Sequence, residues 1–215
     1  MSRPLALSAL LASGALCFAA MLAAAQNNAG APPAAASSWR VPLGNAQRGA
    51  ELAQTCLTCH GEDAPRSDPP APKLRHQRAS YIFAALLEYR SGARKSDLME
   101  PMAQGLSDQD ARDLAVYLSG DMFDRPPRAR TDLPAYRRVA QECTWCHGET
   151  GIGEFEGMPV LTGQDPAYVA HALRAYREGT RTNPIMRSVV RDLAPGEEQA
   201  LADYYAAHAW LEAAR

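Results

Sequence analysis

The chain has 215 residues, 22 basic and 24 acidic side chains, and a formal net charge of −2. It carries no basic patch and no long run of one sign, which excludes nucleic-acid binding through a cationic footprint. Of its five cysteines one lies at position 17 and four fall in two short motifs, so downstream of residue 25 none is left for a disulfide or a catalytic thiolate elsewhere.

Residues 1–25 have the pattern of a secretory signal. Arg3 gives a positive start, Leu5 to Leu22 is apolar, and Ala23-Ala24-Ala25 offers a small-residue cleavage site. The alternative is an uncleaved anchor. The apolar run is barely long enough for a span of about 20 residues, and Ser8, Ser13 and Gly14 dilute it. Leu16 before Cys17 does not suit lipoprotein processing. Cleavage leaves 21 basic and 24 acidic side chains. Residues 26–44, rich in Ala, Pro, Ser and Asn, read as a flexible leader.

A helix from about Ala46 to Cys56 leads into Cys56-Leu57-Thr58-Cys59-His60. C-x-x-C-H is the attachment pattern of a c-type haem. Two thiols three positions apart bond the two vinyl groups of one porphyrin, and His60 is held beneath the iron. Zinc would need further Cys or His ligands nearby, and the sequence offers none. Pro72, twelve positions after His60, keeps a carbonyl able to accept the other ring N–H of a proximal His. Helical spacing of Tyr81, Ala85, Leu86 and Tyr89 predicts a second helix, Ala79 to Ser91, which Gly92 stops. The next loop carries Met99, a candidate sixth ligand 39 positions after His60, and its rival Met102. A third helix, Asp108 to Ser119, opens on a capping box of Ser107 and Asp110 and turns Leu114 and Tyr117 inward. Residues 121–133, with Pro126-Pro127 and alternating Asp and Arg, read as a linker between domains at 45–120 and 134–215.

The second domain repeats the first. Cys143-Thr144-Trp145-Cys146-His147 follows the first motif by 87 positions, and the same offset places Pro159 on Pro72, Gln164 on Gln77, Tyr168 on Tyr81, Arg181 on Arg94 and Met186 on Met99. The corresponding helices are Ala135 to Cys143, Pro166 to Glu178, and Pro195 to Ala207. This is an internal duplication, and it filters candidates. His76, His171 and His208 do not recur and are assigned structural or surface roles. Met102 falls on Val189, which favours Met99. The fold class expected is all-α, in two tandem domains of about 75–80 residues each, a size at which a core is marginal without a prosthetic group.

Taken together, the two C-x-x-C-H motifs, Pro72-x-Leu74 and Pro159-x-Leu161, Gln77 and Gln164, the Tyr-Arg-x-Gly-x-Arg segments, Leu106 to Asp110, and Tyr117 with Tyr204 make the chain resemble di-haem class I cytochromes c of the cytochrome c4 type. The resemblance runs from about Asn45 to the C-terminus. It implies two tandem class I cytochrome c domains and two covalently attached haem c groups. Cys56, Cys59, Cys143 and Cys146 would hold the porphyrins, with iron ligated by His60 and Met99 and by His147 and Met186. It further implies a periplasmic, non-enzymatic carrier of single electrons between a respiratory donor and an acceptor such as a terminal oxidase. Its partners would be redox proteins, with peripheral membrane association allowed. Two alternatives stand beside the carrier: a cytochrome subunit of a larger dehydrogenase or oxidase complex, and a di-haem redox enzyme, which needs an open or unusual ligand at one iron. Tyr136 departs from the family, where a small residue is usual, and predicts a looser helix crossing in the second domain. Arg94 and Arg181 would pair with haem propionates or merely solubilise their loops.

Overall fold

The computed structural model describes residues 44–120, 127–128, 134–153 and 155–210. These belong to one compact unit, Trp39–Arg215. The signal at 1–25, the leader before Gly44, and the linker apart from Pro127–Arg128 lie outside the described residues. Among the described residues, no helix is long and apolar enough to cross a membrane.

Among the described residues the first half holds five helices: α1 (Ala46–Leu52), α2 (Gln54–His60), α3 (Ala79–Ser91), α4 (Met99–Gln104) and α5 (Asp108–Ser119). The second holds α6 (Pro134–His147), α7 (Pro166–Glu178), α8 (Pro184–Val190) and α9 (Glu197–Ala207). The only other element among the described residues is a two-residue antiparallel pairing of β1 (Pro127–Arg128) with β2 (Ala209–Trp210). Among the described residues the architecture is all-α, in two halves of similar helix order.

Three sequence expectations are refined. The first helix is two segments, with Ala53 closing α1 and starting α2, so the cysteine motif rides on its own helix. In the second half the equivalent helix runs unbroken through His147. The loops expected to carry Met99 and Met186 each contain a short helix, α4 and α8.

Local chemistry sets the boundaries. Asn45 accepts from Arg48 N and caps α1. Ser107 and Asp110 form the reciprocal capping box of α5. Asp165 caps α7, whose first residue is Pro166, where a missing N–H costs nothing. Gly92 and Gly179 end α3 and α7 in the left-handed conformation, which glycine adopts without a Cβ clash. The last helix starts at Glu197 rather than Pro195, with Gly196 as its N-cap.

The first core packs α1 and α3 on α5 through Ala53, Ile82, Phe83, Leu114 and Leu118. Gly49 sets the closeness of α1 to α5: a Cβ there would stand 2.1 Å from the Asp113 carbonyl oxygen. The counterpart, Tyr136, lies in α6, and its side chain is outside the described residues. The second core joins Ala140, Leu201, Tyr204 and Tyr205. Leu114 and Leu201 are both buried, as the sequence pattern predicts.

Candidate functional site

In the first half, α2 places Cys56, Cys59 and His60 within one and a half turns of helix. Residues three apart on a helix share a face, so both thiols lie on the side from which His60 emerges. Both are free; Cys56 is half-buried and Cys59 exposed. His60 Nδ1 lies 2.8 Å from the Pro72 carbonyl oxygen. A carbonyl can only accept, so Nδ1 carries the proton and Nε2 is left with its lone pair for a metal. Burial lowers the His60 pKa, and the Pro72 carbonyl opposes that shift. The ring is therefore held neutral, the form that binds iron.

The second half repeats this on the C-terminal turn of α6. Cys143 is half-buried and Cys146 exposed, both as free thiols. Burial, and then the charge of Glu142, push the Cys143 thiol up to about 11. His147 is buried, and burial lowers its pKa while the Pro159 carbonyl opposes. Here the two halves differ. Pro159 O acts on the ring charge, yet strict hydrogen-bond geometry is not met and His147 Nδ1 has no partner. Tyr205, where the first half has Leu118, sets its ring edge-on to His147 at 6.4 Å, and its buried hydroxyl is unpartnered. The 87-residue comparison pairs Tyr205 with Leu118, but nothing in a sequence says that the ring meets the proximal histidine.

Met99 opens α4, and its N–H donates to Ser96 Oγ at 3.1 Å. Met186 lies in the first turn of α8, and its N–H donates to Asn183 Oδ1 at 3.0 Å. Ser96 and Asn183 are themselves one offset apart, so a side-chain oxygen three residues upstream meets the N–H of each methionine, from the N-cap of α8 in the second half and from the loop before α4 in the first. Both side chains are half-buried, whereas Met102 is 42% exposed.

The fit of these residues to haem c rests on what the fold leaves uncovered. Leu98 and Ile185 are exposed at equivalent positions, and so are Met102 and Val189. Large apolar side chains rarely stay in water at matching places in two domains without a ligand to cover them. Free thiols, neutral imidazoles and these apolar surfaces form the donor set and lining that a covalently held porphyrin needs. Zinc finds no such set: among the described residues no three His, Cys, Asp or Glu gather as a metal-ion site.

Between the halves runs a network that the sequence does not announce. Gln77 Nε2 donates to Val160 O at 3.0 Å, and its Oε1 accepts from Val160 N at 2.8 Å. Gln164 does the same with Lys73, at 2.9 and 2.8 Å. Arg94 Nη2 donates to the Tyr168 hydroxyl at 3.0 Å, and Arg181 Nη2 to the Tyr81 hydroxyl at 2.9 Å. Each guanidinium also stacks on a tyrosine of its own half, Arg94 on Tyr89 and Arg181 on Tyr176. Neither forms an ion pair with a described carboxylate, so two cations are sequestered among phenols. Burial pushes the Tyr89 and Tyr176 hydroxyls up to about 12. Arg94 is buried and Arg181 half-buried at these contacts between halves, and the loop-solubilising role is set aside.

Comparison with known proteins bears on this arrangement directly. A family model described as Cytochrome c matches residues 46–120. A cytochrome c4 of Stutzerimonas stutzeri is 33% identical over 184 residues, covering 75% of this chain and 88% of that protein. A protein named thiosulfate dehydrogenase electron acceptor, from Stutzerimonas stutzeri (strain A1501), is 34% identical over 170 residues, covering 72% and 79%. The crystal structure of reduced recombinant cytochrome c4 from Pseudomonas stutzeri superposes with a TM-score of 0.65 at 32% identity, covering 76% of this chain and 98% of that one. The relatives share covalently bound haem c and electron transport. With two matching attachment helices, one fold, and relatives aligned across both halves, the chain belongs to the cytochrome c4 family of di-haem class I cytochromes c.

Proposed function

We propose that the chain is a periplasmic carrier that holds two haem c groups and passes single electrons from a respiratory donor to an acceptor such as a terminal oxidase. The observation that carries this reading is the recurrence of the same donor types in both halves: paired free thiols, an adjacent histidine, and a methionine whose N–H meets a side-chain oxygen three residues upstream. When bound, haem supplies the one-electron Fe(III)/Fe(II) couple.

The protein's share is positioning. Cys56 with Cys59, and Cys143 with Cys146, fix each group covalently. His60, with its Nδ1 proton held by the Pro72 carbonyl, would present Nε2 to one iron, and His147 would serve the other. Met99 and Met186 would supply the thioether ligands, and such a ligand raises the reduction potential. With a histidine and a methionine available to each haem, neither iron would take peroxide or another substrate, which separates a carrier from a di-haem enzyme. Arg94 and Arg181 offer the cations that haem carboxylates require, at the face where the halves meet. Residues 1–25 direct export, and 26–44 and 121–133 act as leader and linker.

A second reading is favoured by the relative named as an electron acceptor of thiosulfate dehydrogenase: the donor is a dehydrogenase that docks the cytochrome, transiently or as a permanent subunit. A redox titration with optical and EPR spectra tests the main reading. Two low-spin irons with histidine and methionine ligation per chain are expected. One haem per chain, or ready binding of carbon monoxide or cyanide by the native protein, overturns it. Size exclusion of natively expressed protein separates the second reading, since co-elution with a catalytic partner supports a subunit.

A further inference from the structure

The contacts between the halves obey a two-fold rule. Gln77 pairs with the backbone of residue 160 and Gln164 with that of residue 73; Arg94 pairs with Tyr168 and Arg181 with Tyr81. Every one of these pairs maps onto its partner under the 87-residue offset. A contact set in which i meets j and j meets i is what an isologous dimer interface shows. Each half therefore carries the whole complementary set by itself: glutamine and its backbone target, arginine and its tyrosine.

Two exposed contacts depart from the rule, Lys73 Nζ donating to Gly163 O at 3.0 Å and Thr182 Oγ1 to Ala93 O at 3.5 Å, and one largely buried, charged group breaks it. Arg78, whose side chain is 7% exposed, reaches Glu156 Oε1 at 3.3 Å. It also donates to Ile152 O at 3.1 Å and Gly153 O at 2.7 Å. Ser80 Oγ donates to the other Glu156 oxygen at 2.9 Å. Under the offset, Arg78 corresponds to Asp165, Ser80 to Ala167, and Glu156 to Pro69. None of these contacts can be made in the mirrored direction. If two first halves met through this face, each Arg78 would lose its carboxylate at the matching position. If two second halves met, Asp165 of each would face Glu156 of the other, twice over.

We propose that this face is a self-complementary interface able to seat a second copy of the chain, and that Arg78, Glu156 and Asp165 are the residues that hold it to pairing within one chain. The symmetric contacts supply adhesion that does not discriminate. The one-way charges discriminate, by attraction in the correct pair and by repulsion or an unpaired buried cation in the others, the two routes by which specificity is built. The tether helps, because it makes the correct partner a neighbour at high effective concentration.

Sedimentation velocity on the haem-loaded, full-length protein tests this over a range of concentrations. The native chain is expected to stay a monomer. Glu156→Arg sets like charges against each other within the chain and opposite charges between two second halves. It is therefore expected to shift the protein to a dimer whose fraction rises with concentration. Adding Arg78→Glu to that variant restores attraction within the chain and is expected to return it to monomer. Should Glu156→Arg lose its native haem spectrum, Arg78→Leu gives the same readout. It removes the cation that first halves cannot pair, and dimers are again expected. A folded single variant that stays monomeric throughout, or a double variant that remains a dimer, overturns the proposal. Because the readout is mass, its failure leaves the electron-transfer reading standing.

Discussion

At the scale of single residues, the choice of the sixth iron ligand turns on α4. Met99 and Met102 lie three positions apart and share a helix face, so sequence distance from His60 alone does not separate them. The offset does: Met99 has a methionine counterpart and Met102 has Val189. The structure adds a reason, because Ser96 and Asn183 hold the two recurring methionines by the same backbone bond, while Met102 is markedly exposed. Met99→Ala and Met186→Ala are each expected to turn one of the two haems high-spin and open it to carbon monoxide, and Met102→Ala to leave both low-spin. Optical and EPR spectra of the three variants decide it, and high-spin iron in Met102→Ala would reassign the ligand. The contact of His60 with Pro72 was legible in the sequence, because ring orientation demands fixed spacing. Tyr205 was not, since an aromatic in a helix reads as core until its neighbour is known.

At the scale of elements, capping and close approach make separate demands. Ser107 Oγ accepts from Asp110 N at 3.0 Å, and the Ser107 N–H donates to the Asp110 carboxylate at 3.1 Å. Loss of a serine cap costs about 1 kcal/mol, so Ser107→Ala is expected to lower stability by that amount in urea unfolding at neutral pH. The Ser107 hydroxyl and then its backbone N–H hold the Asp110 carboxyl below its ordinary value. A depressed carboxyl stabilises above its unfolded pKa, near 3.9 for Asp, and that stability is lost as pH falls through the folded value. The deficit of Ser107→Ala relative to the native chain should therefore shrink in acid below about pH 4; a constant deficit would point to lost packing instead. Gly49→Ala poses two opposed effects. Alanine gains about 1 kcal/mol of helix propensity over glycine. Its Cβ, however, would stand 2.1 Å from the backbone oxygen of Asp113, and overpacking of rigid groups costs about 1–3 kcal/mol. The clash wins, and a net loss of stability is expected in thermal unfolding. The long helices α3, α5 and α7 were readable because period, cap and stop agree. The break at Ala53 carries no glycine or proline to signal it. The short α4 and α8 escaped notice because helices of six and seven residues are too short to show a period.

At the scale of the whole molecule, the duplication was visible but its consequence was not. Gln77 and Gln164 recur in the sequence as any two conserved positions of a repeat would, and only the fold shows that each bonds the backbone of the other half. The same symmetry yields a quantitative expectation. Gln77→Ala leaves the N–H and C=O of Val160 without partners, and Gln164→Ala does so for Lys73. An unpaired buried group costs about 1–3 kcal/mol, so Gln77→Ala should weaken the contact between halves by about 2 kcal/mol, and Gln164→Ala by less, because Val160 is buried and Lys73 exposed. Both sites serve one interface, so the double variant is where the halves should part. Urea unfolding of the holoprotein, followed at the haem and by far-ultraviolet circular dichroism, reads this out. One cooperative transition is expected for the native chain, and two separated transitions for Gln77→Ala with Gln164→Ala, since uncoupled halves unfold as independent units. A single coincident transition in the double variant would mean that the arginine–tyrosine pairs and Arg78 suffice to join the halves, and that the glutamine bonds only set their register.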